Sequence, residues 1–321
     1  MKNFKKILIA LVAVAAGIIY FAQELGTLLY QVEDEKKEVA KAVSQWQEKV
    51  EDSAQELWEN SEKTVKEYTK KIKRTETAVA GTEILSGIEI PVLQTDVPSQ
   101  ILEYTGHTLS YNNETRLPNW VAYELTKEEA QGKNPRKDKF ARDPEAKGAQ
   151  ASKEDYRNSG WDRGHMAPAA DMKWSTQAMD ETYYFTNICP QNHQLNNGDW
   201  KELEEKCREW AVKYSSIHIV CGPIIKDNTH GRLGENQIVI PDKFYKVLLI
   251  LKDGKYQGAG FIFTNYPKRD SKISTRPGPD NPLEYYMVSI DEVESVTGID
   301  FFSKLPDTIE AAVEKESVLF Q

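Results

Sequence analysis

An unbroken apolar run, Ile7 to Ala22, follows Lys2, Lys5 and Lys6. Basic flank followed by apolar run is the order of a secretory signal or a membrane anchor. The run falls short of the roughly 20 residues that span a bilayer comfortably. Bulky Tyr20 and Phe21 near its end spoil a cleavage site, which favours an uncleaved signal-anchor over a cleaved signal or a mitochondrial leader. Lysines before the run and Glu24, Glu33 and Asp34 after it put the N-terminus in the cytoplasm and the remainder outside. Over 23–80 the pattern changes. Val32, Val39, Val43, Trp46, Val50, Leu57, Val65, Tyr68 and Ile72 recur mostly three, four or seven apart, and Glu33–Lys37 and Glu59–Lys63 are ion pairs at helical spacing. This predicts one long amphipathic stalk helix, either solvated alone or joining copies into a homo-oligomer as a coiled coil.

From Gly81 onward short apolar segments alternate with turn signals. Strands are expected at Ser215–Cys221, Gln237–Ile240, Tyr245–Leu251 and Gly258–Phe263, with turns at Gly222-Pro223, Asp253-Gly254 and Arg276-Pro277-Gly278-Pro279. A helix is expected after Gly198, with Trp200, Leu203, Cys207, Trp210 and Tyr214 on its apolar face and Asn196, Asn197 or Asp199 as its cap. The loop Gly132–Lys153 lacks periodicity, and long loops in compact domains are often functional. Three segments result: 1–22 anchor, 23–80 stalk, 81–321 globular domain.

Charge narrows the function. The chain carries 41 Lys and Arg against 50 Asp and Glu, net −9. Bulk attraction therefore cannot hold it to nucleic acid, and an anionic substrate needs a local basic site. Such a site exists: between Lys133 and Lys173 ten basic residues face seven acidic ones, 10 − 7 = +3. With only 3 Cys, a disulfide scaffold and a Cys-rich zinc domain are excluded. Cys221 falls in an apolar strand and is expected to be buried, while Cys189 and Cys207 read equally well as a pair or as free thiols.

The chemistry is concentrated between Arg142 and Glu204. In Asp162-Arg163-Gly164-His165, residues two apart on an extended strand project together. A cation beside a general-base candidate is costly in a core and natural where a phosphodiester binds. About thirty residues later Asn196 precedes the helix that carries Glu204. Few strong ligands and a carboxamide favour a hard cation such as Mg²⁺. Zinc spacings are absent: there is neither C-x-x-C nor H-E-x-x-H. His193 suits a supporting role near this site, and His107, His218 and His230 have no supporting context.

These residues closely resemble the DNA/RNA non-specific endonucleases of the ββα-metal (His-Me finger) superfamily. The family's D-R-G-H stands at Asp162 to His165, its N-x-x-P-Q at Asn187 to Gln191, and its L-N-x-x-x-W-x-x-L-E at Leu195-Asn196 through Trp200 to Leu203-Glu204. Flanking resemblance covers roughly 81–310. It implies an α+β fold with a mixed, mainly antiparallel sheet core and a ββα-metal motif. It further implies His165 as general base and Asn196 as protein ligand of one Mg²⁺, with Mn²⁺ as substitute. Glu204 would act on that metal through water, Asn187 would orient the site, and Arg163 would contact phosphate. A second familial arginine is placed at Arg142, and Tyr183 stands where one member has a further Asn. The implied substrates are DNA and RNA, cleaved to 5′-phosphate products. Competing readings are an extracellular DNA-binding or uptake protein with weak catalysis, and a phosphodiesterase acting on a non-nucleic substrate. The expected location is the outer face of a membrane, or secretion.

Overall fold

Strands and helices follow one another as β1 (Val92–Leu93), β2 (Gln100–Glu103), β3 (Thr108–Asn112), β4 (Leu117–Thr126), α1 (Lys127–Ala130), α2 (Lys153–Tyr156), β5 (Asp162–His165), α3 (Thr176–Glu181), β6 (Ile188–Gln191), α4 (His193–Asn196), α5 (Asp199–Tyr214) and β7 (Ser216–Ile224). The chain continues with β8 (Arg232–Leu233), β9 (Ile238–Val239), β10 (Lys243–Lys252), β11 (Lys255–Thr264), β12 (Met287–Val288), α6 (Ile290–Thr297), β13 (Ile299–Asp300) and α7 (Asp307–Lys315). This computed structural model describes residues 86–136, 138–226, 230–265, 282–317 and 319–320. The expected anchor and stalk lie outside the described residues. Among the described residues, no helix is long and apolar enough to cross a membrane.

Seven strands form one sheet in the order β12-β11-β10-β7-β4-β3-β2, and every pairing in it is antiparallel. The sheet is thus wholly antiparallel, agreeing with the α+β fold and mainly antiparallel core expected and correcting the mixed sheet. The four anticipated strands are present as β7, β9, β10 and β11, most of them longer than the apolar core that signalled them. β10 shows how the layers arise. Its side chains alternate between faces: Phe244, Leu248 and Ile250 join one core, and Tyr245, Val247 and Leu249 join the other. The first core is closed by α5 through Trp200, Leu203, Cys207, Trp210 and Ala211. Ile290 and Val293 of α6 and Val313 of α7 close the second. A strand buried on both faces reads as a near-continuous apolar run, and between its terminal Lys243 and Lys252 β10 does so apart from one residue, the buried Lys246.

On the α5 side of the sheet lies a separate two-stranded hairpin, β5 with β6. α5 itself begins at Gly198, whose backbone makes the cap without any side-chain hydrogen bond. This corrects the expected cap: Asn196 belongs to the one-turn helix α4, which Asn192 caps through its side chain.

Candidate active site

The hairpin register sets Asp162 opposite Gln191, Gly164 opposite Cys189 and His165 opposite Ile188. Gly164 is obligatory here. A Cβ at this position would lie 2.6 Å from Gln191 Cβ, inside any tolerable contact. Arg163 and His165 project to the same side, as the strand period requires. Both meet Phe140 of the long loop, the guanidinium carbon 4.2 Å and the imidazole centre 5.4 Å from its ring centre. Tyr183 stands edge-on to His165 at 5.0 Å. Asn187 is buried and ties down the chain just beyond His165. Its Oδ1 accepts from Ala167 N–H at 2.9 Å, and its Nδ2 donates to Ala167 O at 2.9 Å and Thr182 O at 2.8 Å. All these partners are backbone, so Asn187 acts on the position of His165.

His165 Nε2 is shut off from solvent, with no hydrogen-bond partner among the described residues. Burial, reinforced by Arg136 and by Arg163 and His107, pulls its pKa down to about 3; Asp138 opposes the shift. The imidazole is therefore neutral near pH 7. Arg136 is the largest charge acting on it. Its Nε donates to Asp138 Oδ1 at 2.7 Å and to the Tyr183 hydroxyl at 2.8 Å, and that hydroxyl donates to Asp138 at 3.0 Å. Arg142 is exposed, and its charge is felt at Tyr111. Geometry thus brings Arg163 and Arg136 to the histidine, with no such link for Arg142. Arg136 was not singled out by sequence, since the loop's lack of periodicity gives no register for choosing among its cations, and Tyr183 was named only as standing where one family member has a further Asn.

The other half of the site is on α4 and α5. Asn196 Nδ2 donates to Asp162 Oδ2 at 3.0 Å, and His193 Nδ1 lies 2.8 Å from the same oxygen. With its amide nitrogen committed, Asn196 has Oδ1 left to offer a ligand. Trp200, Glu204 and Arg208 succeed one another four residues apart along α5. Glu204 is half-buried, and burial pushes its carboxyl up to about 7, opposed chiefly by the Lys246 ammonium and reinforced by Asp171. The nearby helix cations are engaged with other carboxylates: Lys201 pairs with Glu205 at 3.6 Å and Arg208 with buried Asp171 at 2.7 Å. The Asn196 amide oxygen and the Asp162 carboxylate lie together, and oxygen donors of this kind fit a hard divalent cation.

The remaining candidates are structural. All three cysteines are buried, free thiols. His218 Nδ1 lies 3.3 Å from Glu89, His230 packs at a tilt against Trp161, and His107 is enclosed with neither ring nitrogen hydrogen-bonded among the described residues. Unforeseen in the sequence is a carboxylate cluster on the far face, where Asp291, Glu294, Asp300, Glu310 and Glu314 converge between α6, β13 and α7.

A hairpin bearing a histidine and an arginine, followed by helices that carry a carboxamide and a carboxylate, has the order of residues that the family resemblance implies. Comparison with known proteins agrees. The DNA/RNA non-specific endonuclease family matches residues 84–308, and the chain belongs to that family. It is 38% identical over 216 residues to mitochondrial nuclease EXOG of Danio rerio, covering 63% of this chain and 60% of that protein. Human endonuclease G is 31% identical over 215 residues, covering 63% and 69% respectively. A Nostoc nuclease is 32% identical over 212 residues, covering 65% and 76%. The chain thus spans less than two thirds of the length of the EXOG relative. Among solved structures, a chain of the EndoG/EndoGI complex superposes with a TM-score of 0.58 at 26% identity, covering 66% of this chain and 90% of that one.

Proposed function

We propose that the protein is a membrane-anchored, Mg²⁺-dependent, sugar-nonspecific endonuclease that hydrolyses DNA and RNA to 5′-phosphate products. The observation that carries this reading is that the His165 ring and the Arg163 guanidinium both pack against Phe140. A base and a phosphate-binding cation so placed address one phosphodiester together. His165 takes the proton from the attacking water. Arg163, with Arg136 behind His165, offsets the negative charge that builds on the phosphoryl oxygens. Asn187 fixes the backbone at Ala167 and with it the direction of the imidazole. Asn196 Oδ1, oriented by Asp162, would hold Mg²⁺ or Mn²⁺ with Glu204 acting through water, and the metal would supply Lewis-acid stabilisation of the phosphate and the leaving 3′ oxygen. None of these groups reads a base edge, so both sugars and all sequences are substrates.

The apolar run at 7–22 supports an anchor, the 23–80 pattern a stalk, and their charge order an extracytoplasmic nuclease domain from 81 to 321. The full-length chain is to be incubated with supercoiled plasmid and, separately, with RNA, with Mg²⁺ and with EDTA. Cleavage of both polymers, lost in EDTA, is the expected result. Plasmid retained intact would support the DNA-holding alternative. Resistance of both polymers, with a small phosphodiester cleaved, would move the protein to a non-nucleic substrate.

A further inference from the structure

The Asp162 carboxylate gathers two side chains of α4 on one oxygen. His193 and Asn196 are the first and last residues of that helix, three apart and so on one face. His193 Nδ1 lies 2.8 Å from Asp162 Oδ2, and Asn196 Nδ2 donates to the same oxygen at 3.0 Å. An ionised carboxylate only accepts, so the histidine donates from Nδ1. Asn197 Nδ2 then donates to Nε2, 3.4 Å away, and both ring nitrogens are engaged. His193 is no core histidine, since 53% of its side chain is exposed. Exposed pairs of this kind add little stability, so the consequence of this one lies with the amide beside it.

That amide has to be held by its surroundings, because a single turn such as α4 does not keep its own shape in water. The start of α4 is tied to the fold: Asn192 Oδ1 accepts from Gln194 N–H at 3.0 Å, and Asn192 N–H donates to Asn265 Oδ1 at 2.8 Å. At the other end the Asn196 side chain is held by Asp162, itself only partly buried. A carboxylate with one donor can pivot. Two donors reaching Oδ2 from one helical turn fix its plane, and with it which amide atom of Asn196 faces Asp162 and which faces outward. We propose that His193 is a positioning residue for the metal: by donating to the Asp162 oxygen that Asn196 also uses, it locks the Asn196 amide with Oδ1 presented to a hard divalent cation. His193 touches neither cation nor phosphate in this role; it acts through Asp162. Outer partners that orient a ligand are commonly worth about 10- to 100-fold in metal affinity or activity.

This inference rests on the nuclease reading and deepens it, and the test separates the two. In the full-length protein His193→Phe and His193→Ala remove the donor. His193→Asn keeps an N–H as many bonds from the backbone as Nδ1. Each variant is compared with wild type for Mn²⁺ binding without DNA, read from the paramagnetic resonance of the free ion, and for kcat and KM on plasmid in Mg²⁺. Melting temperatures are recorded alongside. His193→Phe and His193→Ala are expected to weaken Mn²⁺ binding about tenfold and to lower kcat with KM little changed, and His193→Asn to recover most of both. Unchanged Mn²⁺ affinity, or a loss that His193→Asn does not recover, would overturn the proposal. A raised KM with Mn²⁺ affinity intact would also overturn it, making His193 a direct contact to the substrate. Should His193→Phe fail to fold, His193→Ala carries the comparison with His193→Asn. A wild type that binds Mn²⁺ yet cleaves no nucleic acid in any divalent metal would reject the nuclease reading, while the binding comparison still decides the role of His193. A wild type that binds no Mn²⁺ would contradict that role.

Discussion

The His165 ring is enclosed by Phe140 and Tyr183 and faces the Arg136 charge, all of which disfavour the imidazolium and leave the ring neutral near pH 7. The acid limb of kcat/KM against pH should therefore lie well below 6.5, the ordinary histidine value; a limb at or above 6.5 contradicts this environment. His107 is burdened by burial in the same way, its pKa also falling to about 3. A depressed histidine contributes stability that is present above pH 6.5 and is lost as pH falls from there toward 3, because only the unfolded chain takes up the proton. His107→Leu should thus raise the melting temperature relative to wild type more at pH 5 than at pH 8, measured by calorimetry. At this scale the sequence is read best where residues sit in fixed register on one local element. Arg163, His165, Asn196 and Glu204 fall in the hairpin and helix that follow it. Arg136 and Tyr183 become neighbours only through tertiary contact across a loop, and no spacing rule connects them.

Secondary-structure elements transmit these placements. The β5–β6 hairpin depends on Gly164, whose missing side chain lets Gln191 pack against the strand. Gly164→Ala should cost about 1–3 kcal/mol of stability, the usual range for overpacking, and should lower kcat by displacing His165; chemical denaturation and kinetics together check both. On the far face, burial raises Glu314 to about 8, with repulsion from Glu294, Glu310, Asp291 and Asp300 adding to it, and burial raises Glu294 to about 7. A carboxyl raised in the folded state favours folding below its ordinary value of 4.5, and that contribution is lost as pH rises through 7 to 8. Glu314→Gln is accordingly expected to melt higher than wild type at pH 9 and nearly equal to it at pH 5. α5 was legible from its apolar stripe, but its cap was not: two asparagines beside Gly198 mimic a capping signal, although the chain has already turned through α4. Strands β2 to β4 gave weaker signals. Pro118 and Asn119 demote the β4 run, and a register shift at Ser110 and Tyr111 accommodates Pro118. Pairing with β7 decides that strand against its local propensity.

Taken whole, the molecule presents an acidic body, net −9, around a locally basic active-site segment. Binding must then rest on a few phosphate contacts that release counterions. The logarithm of affinity for catalytically silent DNA should fall linearly with the logarithm of salt concentration, with a slope of roughly −0.9 per phosphate neutralised. Arg163→Ala should make that slope shallower by about one. A slope unaffected by that change would remove Arg163 from the phosphate. Net charge alone argues against nucleic acid, and only the local excess around the histidine outweighs it, which is why composition could set the problem but not solve it.

The most direct measurement compares full-length wild type with His165→Ala for single-turnover nicking of supercoiled plasmid in saturating Mg²⁺, each checked for unchanged melting temperature. A base working at a water proton contributes about 10²- to 10⁴-fold, so nicking should fall by that factor while DNA binding is retained. Equal rates in the folded variant would contradict the assignment of His165 as the base on which the mechanism rests.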